Sequence, residues 1–378
     1  MIFLFSLFVA FFAIWRGIIP QKMALKWKII AGVISAMITF KFYIFSLASG
    51  KLFSAPQWNP AILLVFTRLY ALIIFFVIFL LIYELLRLAA KAVTHIRKKE
   101  LPGFFTNPLW RLTSLLPAAL LVTCGMYEGL KIPEVTKYEI KFPALPSELD
   151  GFTIAHLSDI HADPFTRKEK IEKIVELTNK QNADIIVITG DFVDGKTNQR
   201  GDDLSVLKNL SAPCGVFGVP GNHEYYSGYS DWMDFLQNCG IDMLENRHII
   251  IRKKLTLAGV TDYSAKKIRG KRPDIIKAFA GSPEANFRIL LAHQPKLAQQ
   301  AAQNGVNLQL SGHTHGGMIY GLDILVSMFN NGLVSGIYNI NDMTLFISNG
   351  TGIWNGFPLR LGRHSEIAII TLRKDTGR

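Results

Sequence analysis

Hydrophobic and polar positions follow two different rhythms along the chain. Up to about residue 131 the apolar residues come in long runs, Ile2 to Trp15, Ile29 to Leu47, Ala61 to Tyr83 and Leu112 to Tyr127. A helix needs about 20 apolar residues to cross a bilayer core, so the first and last runs are short. The pattern predicts a transmembrane region over residues 1–130 with four helices. From residue 136 short apolar runs alternate with amphipathic stretches. "FTIAHLSD", "ADIIVITGD", "GVFGVPGN", "FRILLAHQ" and "LQLSGHTH" read as strands with abrupt polar endings. "RKEKIEKIVELTNK", "DWMDFLQNC" and "PKLAQQAAQ" have helical spacing between them. Strand, helix, strand order predicts an α/β core over residues 151–378. Residues 131–150, with Pro133, Pro143 and Pro146, read as a linker leading into it, and "MTLFISNG" and "EIAIITLRK" read as strands of a second sheet.

Charge sharpens this division. The net charge is +12, and residues 1–131 hold 14 Lys or Arg against three acids, whereas residues 132–378 hold 27 against 26. The excess therefore flanks the apolar runs, and a nearly neutral second half argues against nucleic acid as a partner. Arg16, Lys22, Lys26 and Lys28 fill the first connection, and Lys91, Arg97, Lys98, Lys99 and Arg111 the third, while the second holds only Lys51. Positive residues mark cytoplasmic loops. Four spans then make a multi-pass protein of the cell (inner) membrane with its second half on the non-cytoplasmic side; a fourth run that fails to cross would reverse that side. The opening run lacks the preceding positive residue and following small-residue site of an export signal. Lys41 and Arg68, inside apolar runs, are expected to snorkel to the interface, with capture of an anionic headgroup as the sharper alternative. Cys124 reads as a buried small residue, and Cys214 and Cys239 as either a disulfide or two buried thiols.

The strand endings carry the chemistry. Ligands in such sheets bind beyond the carboxyl ends of the strands. Here the endings are "SDIH", "TGDFVD", "GNHE", "AHQP" and "GHTH", each with an Asp, Asn or His, and they are expected to converge on one edge. Asp159 and His161 are two apart, as are His313 and His315, so each pair can face one ion. The carboxylate of Asp191 has two oxygens and can bridge two ions, whereas Asp194 reads as structural. Asn222, His223 and His293 complete the set. Mixed nitrogen and oxygen donors suit two ions such as Mn, Fe or Zn better than calcium. His95, His156, His248 and His364 lack such a setting.

The ordered series "DIH", "GDFVD", "GNHE", "AHQ" and "GHTH" closely resembles the calcineurin-like metallophosphoesterases. The likeness covers about residues 136–373, and the flanks "LPSELDGFTIAHLSDIH" and "GTGIWNGFPLRLGRHSEIAIITL" resemble their bacterial membrane-anchored branch. It implies a four-layer α/β/β/α sandwich. It also implies Asp159, His161, Asp191 and His315 as ligands of one metal, and Asp191, Asn222, His293 and His313 as ligands of the other. His223 matches the non-ligand catalytic histidine that protonates or stabilises the leaving oxygen. The implied activity is metal-dependent hydrolysis, in which metal-activated hydroxide cleaves a phosphoester or phosphoanhydride of a phosphate-containing substrate. A lipid-linked substrate suits the membrane setting. One alternative is a pyrophosphatase acting on UDP-2,3-diacylglucosamine in lipid A synthesis, which requires a cytoplasmic site. Another is a non-catalytic membrane scaffold, from which ligands would be expected to be missing; none is.

Two positions depart from the family pattern. Glu224 stands where Asp is usual, with altered support of His223 as the expectation, and Met318 stands where membrane relatives carry Gln, making the mouth less polar. Arg360 is read as a substrate-phosphate contact or a structural ion pair. "RKK" at 252–254 and "KKIRGKR" at 266–272 are read as solvated loops in preference to headgroup-binding patches.

Overall fold

The computed structural model describes residues 2–52, 55–267 and 272–376, and the chain divides into two compact units, 1–127 and 128–378. In the first, α1 (Ile2–Phe12) runs into a π turn (Ala13–Ile18), and α2 (Leu25–Thr39) and α3 (Lys41–Ser49) meet at a bend of 63°. α4 (Pro60–Ile96) starts on an Asn59 side chain that accepts from the Ala61 N–H at 2.8 Å, with Pro60 in the first-turn position it tolerates. After α5 (Gly103–Thr106), a 3₁₀ turn (Pro108–Ser114) leads into α6 (Leu115–Leu130). Among the described residues, α4 and the 23-residue stretch Pro108–Leu130 are long and apolar enough to cross a membrane, and the bent α2–α3 pair makes a third if it is one span. Ile2–Ile18 is shorter, so the four expected spans reduce to two or three by length. The last run gains its length from the 3₁₀ turn, and Pro117 falls in the first turn of α6, where a missing N–H costs little.

Two expectations in this unit are overturned. Lys41 does not snorkel. Its side chain is fully buried, donates to Thr67 Oγ1 at 3.1 Å and lies 5.2–5.3 Å from the ring centres of Phe42, Phe45 and Tyr70. Aromatic faces hold the ammonium that was expected to reach the interface. Cys124 is exposed on α6 rather than buried.

The second unit holds twelve strands among the described residues. In chain order they are β1 (Glu134–Phe142), β2 (Thr153–Leu157), β3 (Ile185–Thr189), β4 (Val216–Val219), β5 (Asp242–Met243), β6 (Arg247–Ile251), β7 (Leu255–Gly259), β8 (Phe287–Leu291), β9 (Leu308–Ser311), β10 (Gly336–Ile340), β11 (Met343–Ile347) and β12 (Glu366–Lys374). The helices are α7 (Lys168–Asn179), α8 (Thr197–Leu204), α9 (Asn222–Ser227), α10 (Tyr229–Asn238), α11 (Ile275–Phe279), α12 (Ala298–Gln303) and α13 (Asp323–Phe329). They flank two six-stranded sheets, ordered β1-β12-β2-β3-β4-β5 and β10-β11-β9-β8-β7-β6.

The period of two along each strand explains the layers. Ile185 and Val187 of β3 face inward onto Phe287, Ile289 and Leu291 of β8, while Ile186 and Ile188 face outward onto Ile171 and Ile174 of α7 and Trp232 of α10. Leu290 of β8 turns the other way, onto Ala278 of α11 and Ala298 of α12. Each fully buried Ile or Leu contributes about 1.5–3 kcal/mol, so the three apolar seams hold the four layers. The strands and helices expected from the pattern are present, with two differences. "EIAIITLRK" is β12, which joins the first sheet between β1 and β2 rather than the second. Residues 131–150, read as a linker, contain β1, a nine-residue edge strand that only finds its partner when β12 arrives from the far end of the chain. Cys214 and Cys239 are unpaired thiols. "RKK" is the turn between β6 and β7, where Arg252 pairs with Asp184 and stacks on Phe152. Residues 268–271 of "KKIRGKR" lie outside the described residues.

Candidate dimetal centre

The five polar endings belong to two sheets rather than to one edge. β2, β3 and β4 deliver Asp159, His161, Asp191, Asn222 and His223 from the first sheet, while β8 and β9 deliver His293, His313 and His315 from the second. Asp159, His161, Asp191, His313 and His315 all adopt left-handed backbone, with φ between 49° and 72°. Such conformations cost about 1–3 kcal/mol each in a residue with a side chain, and surrounding bonds must hold them. The loops after β2 and β3 do so, through the Asp159 N–H to Gly190 carbonyl and His161 N–H to Asp191 carbonyl bonds, both 3.0 Å. Gly312 serves a different need: a Cβ there would lie 1.8 Å from Ser158 Oγ and 2.3 Å from Asp159 Oδ2, so only glycine lets the two sheets' loops approach.

Two groups of donors result. In one, His161 Nε2 lies 3.1 Å from His315 Nε2, 3.9 Å from Asp159 Oδ1 and 3.7 Å from Asp191 Oδ2. In the other, His293 Nε2 lies 3.1 Å from Asn222 Oδ1, 3.2 Å from Asp191 Oδ2 and 3.2 Å from His313 Nδ1. Asp191 Oδ2 faces both. Asp159, His161 and His315 can share one ion, as can Asp191, His293 and His313.

These residues fit cations on electrostatic grounds. The side chains of Asp159, Asp191 and Asp194 are buried, yet among the described residues none meets a Lys or Arg at ion-pair distance; the charged partners they do meet are histidines. Buried charge of this kind is ordinarily paired or bound to metal. The rings are oriented accordingly. His293 Nδ1 donates to the Thr189 carbonyl at 2.7 Å and His161 Nδ1 meets Asp194 Oδ2 at 3.0 Å, leaving both Nε2 atoms to face the cluster. Burial and the neighbouring His293 push His313 down to about 3, and burial with His161 pushes His315 well below its usual range. Both are therefore neutral at pH 7, the form that ligates. Burial would also lower His161 and His293, but the Asp194 and Asp191 carboxylates outweigh it and raise both, so cation binding would release protons.

His223 is set apart. Its side chain is 14% exposed, and its Nε2 stands 3.9 Å from Asp191 Oδ2. Nδ1 is bound to Asp194 Oδ1. Burial lowers its proton affinity, yet Asp191 and Asp194 outweigh this and raise the ring to about 10. Trp354 and Tyr226 border it, with ring centres 6.3 and 5.5 Å away.

Three residues have roles that the sequence did not reveal. Asp194, read from the sequence as structural, bonds both His161 and His223, and Asn355 donates to it at 3.3 Å, so it orients two rings of the site. Glu224 does not touch His223; it accepts from the N–H groups of Asp191, Phe192 and Gly221 at 3.0, 2.7 and 2.7 Å, tying the bridging residue to the Asn222 loop. Arg360 is fully buried and contacts neither substrate space nor a carboxylate. It donates to the carbonyls of His315, Asn349 and Gly352 at 3.1, 2.6 and 2.9 Å. The spacing of Asp194 three residues after Asp191 was the available signal for the first, and that of Glu224 three residues after Gly221 for one of its bonds; its other two and the role of Arg360 depend on packing. Arg360→Ala leaves these carbonyls unpaired, and a loss of about 3 kcal/mol or more in urea unfolding is expected. His156, His248 and His364 stand outside the cluster: His156 meets Thr189 at 2.8 Å in the core, His248 the Ala278 carbonyl at 2.8 Å, and His364 pairs with Glu128.

The family model for calcineurin-like phosphoesterases matches residues 152–317, which contain every one of these donors. A "Transmembrane protein with metallophosphoesterase domain" of Danio rerio is 30% identical over 369 residues, covering 94% of this chain and 82% of the relative. The chain belongs to the calcineurin-like phosphoesterase family. An "Uncharacterized metallophosphoesterase" of Helicobacter pylori is 36% identical over 280 residues, covering 74% of this chain and 73% of the relative. The bovine protein with the same name as the zebrafish one is 32% identical over 275 residues, covering 69% and 62%. This metallophosphoesterase is thus a metal-dependent hydrolase of phosphate esters, and its family uses a dimetal centre.

Proposed function

We propose a multi-pass, membrane-anchored phosphohydrolase in which Asp159, His161, Asp191 and His315 hold one divalent cation and Asp191, Asn222, His293 and His313 hold the second. The observation that carries this is the pair of donor groups meeting at Asp191, with buried carboxylates that no Lys or Arg among the described residues neutralises. The cations, Mn, Fe or Zn by donor type, would supply charge neutralisation on phosphate oxygens and a nucleophile at neutral pH. Asp191 shares its carboxylate between the two groups, and its Oδ1 accepts from the His223 N–H at 2.9 Å, fixing the acid beside the reacting phosphorus. Asp194 accepts from Nδ1 of the His223 imidazolium and turns the protonated Nε2 toward the cleft, where it can donate to the leaving oxygen.

A lipid-linked substrate, rather than a small soluble one, is favoured by the surface beside the site. Gly317 packs against Asp323, the first residue of α13, and α13 exposes Ile324, Leu325, Met328 and Phe329 next to Tyr320 and Leu322. Apolar surface of this size on a membrane-tethered enzyme suits acyl chains. Metal analysis and hydrolysis assays on a phosphomonoester, a phosphodiester and a lipid pyrophosphate in mixed micelles test the reading. Two ions per chain are expected, with hydrolysis abolished by chelation and restored by Mn, Fe or Zn; a chain that holds two ions yet cleaves none of the three would favour the scaffold reading.

We place the catalytic unit on the non-cytoplasmic side of the inner membrane. From the Lys- and Arg-rich third connection only α6 has to cross to reach it, and Pro108–Leu130 has the length to do so. A reporter fused after Arg378 is expected to be active as alkaline phosphatase and dark as green fluorescent protein. The reverse result would revive the UDP-2,3-diacylglucosamine alternative.

A further inference from the structure

The first unit contains a charged cluster that the proposed reaction does not use. Glu84 of α4 is 7% exposed and receives three guanidinium groups. Arg16 reaches it from the π turn after α1, Arg87 from one turn further along α4, and Arg111 from the 3₁₀ turn before α6. Arg87 Nε lies 2.8 Å from Oε2 and Arg111 Nε 2.7 Å from Oε1, while Arg16 also bonds Oε2. One guanidinium suffices to neutralise a buried carboxylate, and each further one adds a charge that needs its own anion. The only other acid in this unit is Glu100, which forms no ion pair among the described residues. Arg87 and Arg111 each contact Glu84 through Nε alone, and among the described residues no other acceptor meets their terminal nitrogens.

Beside the cluster lies a groove of about 330 Å³, with Arg16, Arg87 and Glu84 at one part of its wall and Phe12, Leu81, Leu85 and Leu88 along the rest. A positive head and an apolar trough within apolar helices match an anionic phospholipid in charge and in shape of polarity. Basic pockets between transmembrane helices bind such headgroups, and guanidinium forks suit phosphate oxygens. We propose that Arg16 and Arg87, with Arg111 held on Glu84 behind them, form a binding site for the phosphate of an anionic phospholipid whose acyl chain lies along Phe12, Leu81, Leu85 and Leu88. Arg16 and Arg111 stand in the turns that border the Lys- and Arg-rich first and third connections, and Arg87 lies in the half of α4 that leads to the third, so this lipid belongs to the leaflet those connections face.

The full-length protein in nanodiscs, with phosphatidylglycerol titrated against phosphatidylcholine and retained lipid read by native mass spectrometry, tests the site. Wild type is expected to keep phosphatidylglycerol in preference to phosphatidylcholine. Arg16→Gln with Arg87→Gln, which leaves the Arg111–Glu84 pair, should weaken retention at least tenfold. Leu85→Trp, which fills the trough and leaves every charge in place, should weaken it too, and so covers the case in which the arginine variant fails to fold. Hydrolysis of a soluble phosphomonoester should stay unchanged in both, so the result is independent of the proposed reaction. Equal retention of the two lipids by wild type, or undiminished phosphatidylglycerol retention in the variants, would overturn the site. Displacement of phosphatidylglycerol by millimolar inorganic phosphate as readily from Leu85→Trp as from wild type would overturn the acyl-chain trough.

Discussion

Replacing Asp191 by Ala should remove both cations and lower phosphoester hydrolysis by a factor on the order of 10³ or more. The carboxylate faces His161 Nε2 at 3.7 Å and His293 Nε2 at 3.2 Å, so its loss opens both donor groups at once. His313→Ala and His315→Ala each open only one group, and each should leave close to one ion per chain. Metal analysis of the three variants distinguishes shared from separate ligands. A thermal shift supplies a second readout. Cations that bind only the folded state raise the melting temperature by mass action, and this gain should vanish in Asp191→Ala. Two ions retained in Asp191→Ala would remove the bridging assignment.

The second large effect is expected at His223, and it has the opposite signature. His223→Ala should keep two ions per chain yet lower kcat by about 10²–10⁴, the range for a positioned general acid. Its ring stands 3.9 Å from Asp191 Oδ2 and is held instead by Asp194, so neither of the two groups that meet at Asp191 loses a member. The loss should be smallest on substrates whose leaving group needs no proton, such as a nitrophenolate, and largest on alkyl phosphates. Asp194→Asn provides the contrast. Because Asp194 also orients His161 at 3.0 Å, this change should weaken metal affinity as well as turnover, by about 10–100-fold for the metal. Loss of metal from His223→Ala would reassign it as a ligand.

Much of the site was legible in the letters because every donor follows directly on the end of a strand. A β run that stops abruptly in Asp, Asn or His announces itself locally, and "GHTH" keeps both rings two residues apart whatever the rest of the chain does. Glu224 and Arg360 were misread because their identity says only what they can bond, not what comes near. Glu224 spends its oxygens on backbone N–H groups at 191, 192 and 221, and Arg360 spends its fork on three carbonyls, one of them that of His315. The partners at 191, 192 and 315 lie more than 30 residues away along the chain, and none of these contacts leaves a periodic trace.

The same distinction runs through the fold. Periodicity by itself determined that the chain has apolar helices followed by an α/β unit, where the strands lie, and which residues stand at their ends. A period of two depends only on the strand's own two faces. It carries no address for a neighbour, so the place of β12 in the first sheet, the pairing of β1, and the division of the polar endings between two sheets were decided by tertiary packing. The membrane half obeys the same rule: apolar length marks a helix, but burial of Lys41 among three rings and the gathering of three arginines on Glu84 arise only when helices distant in sequence pack together.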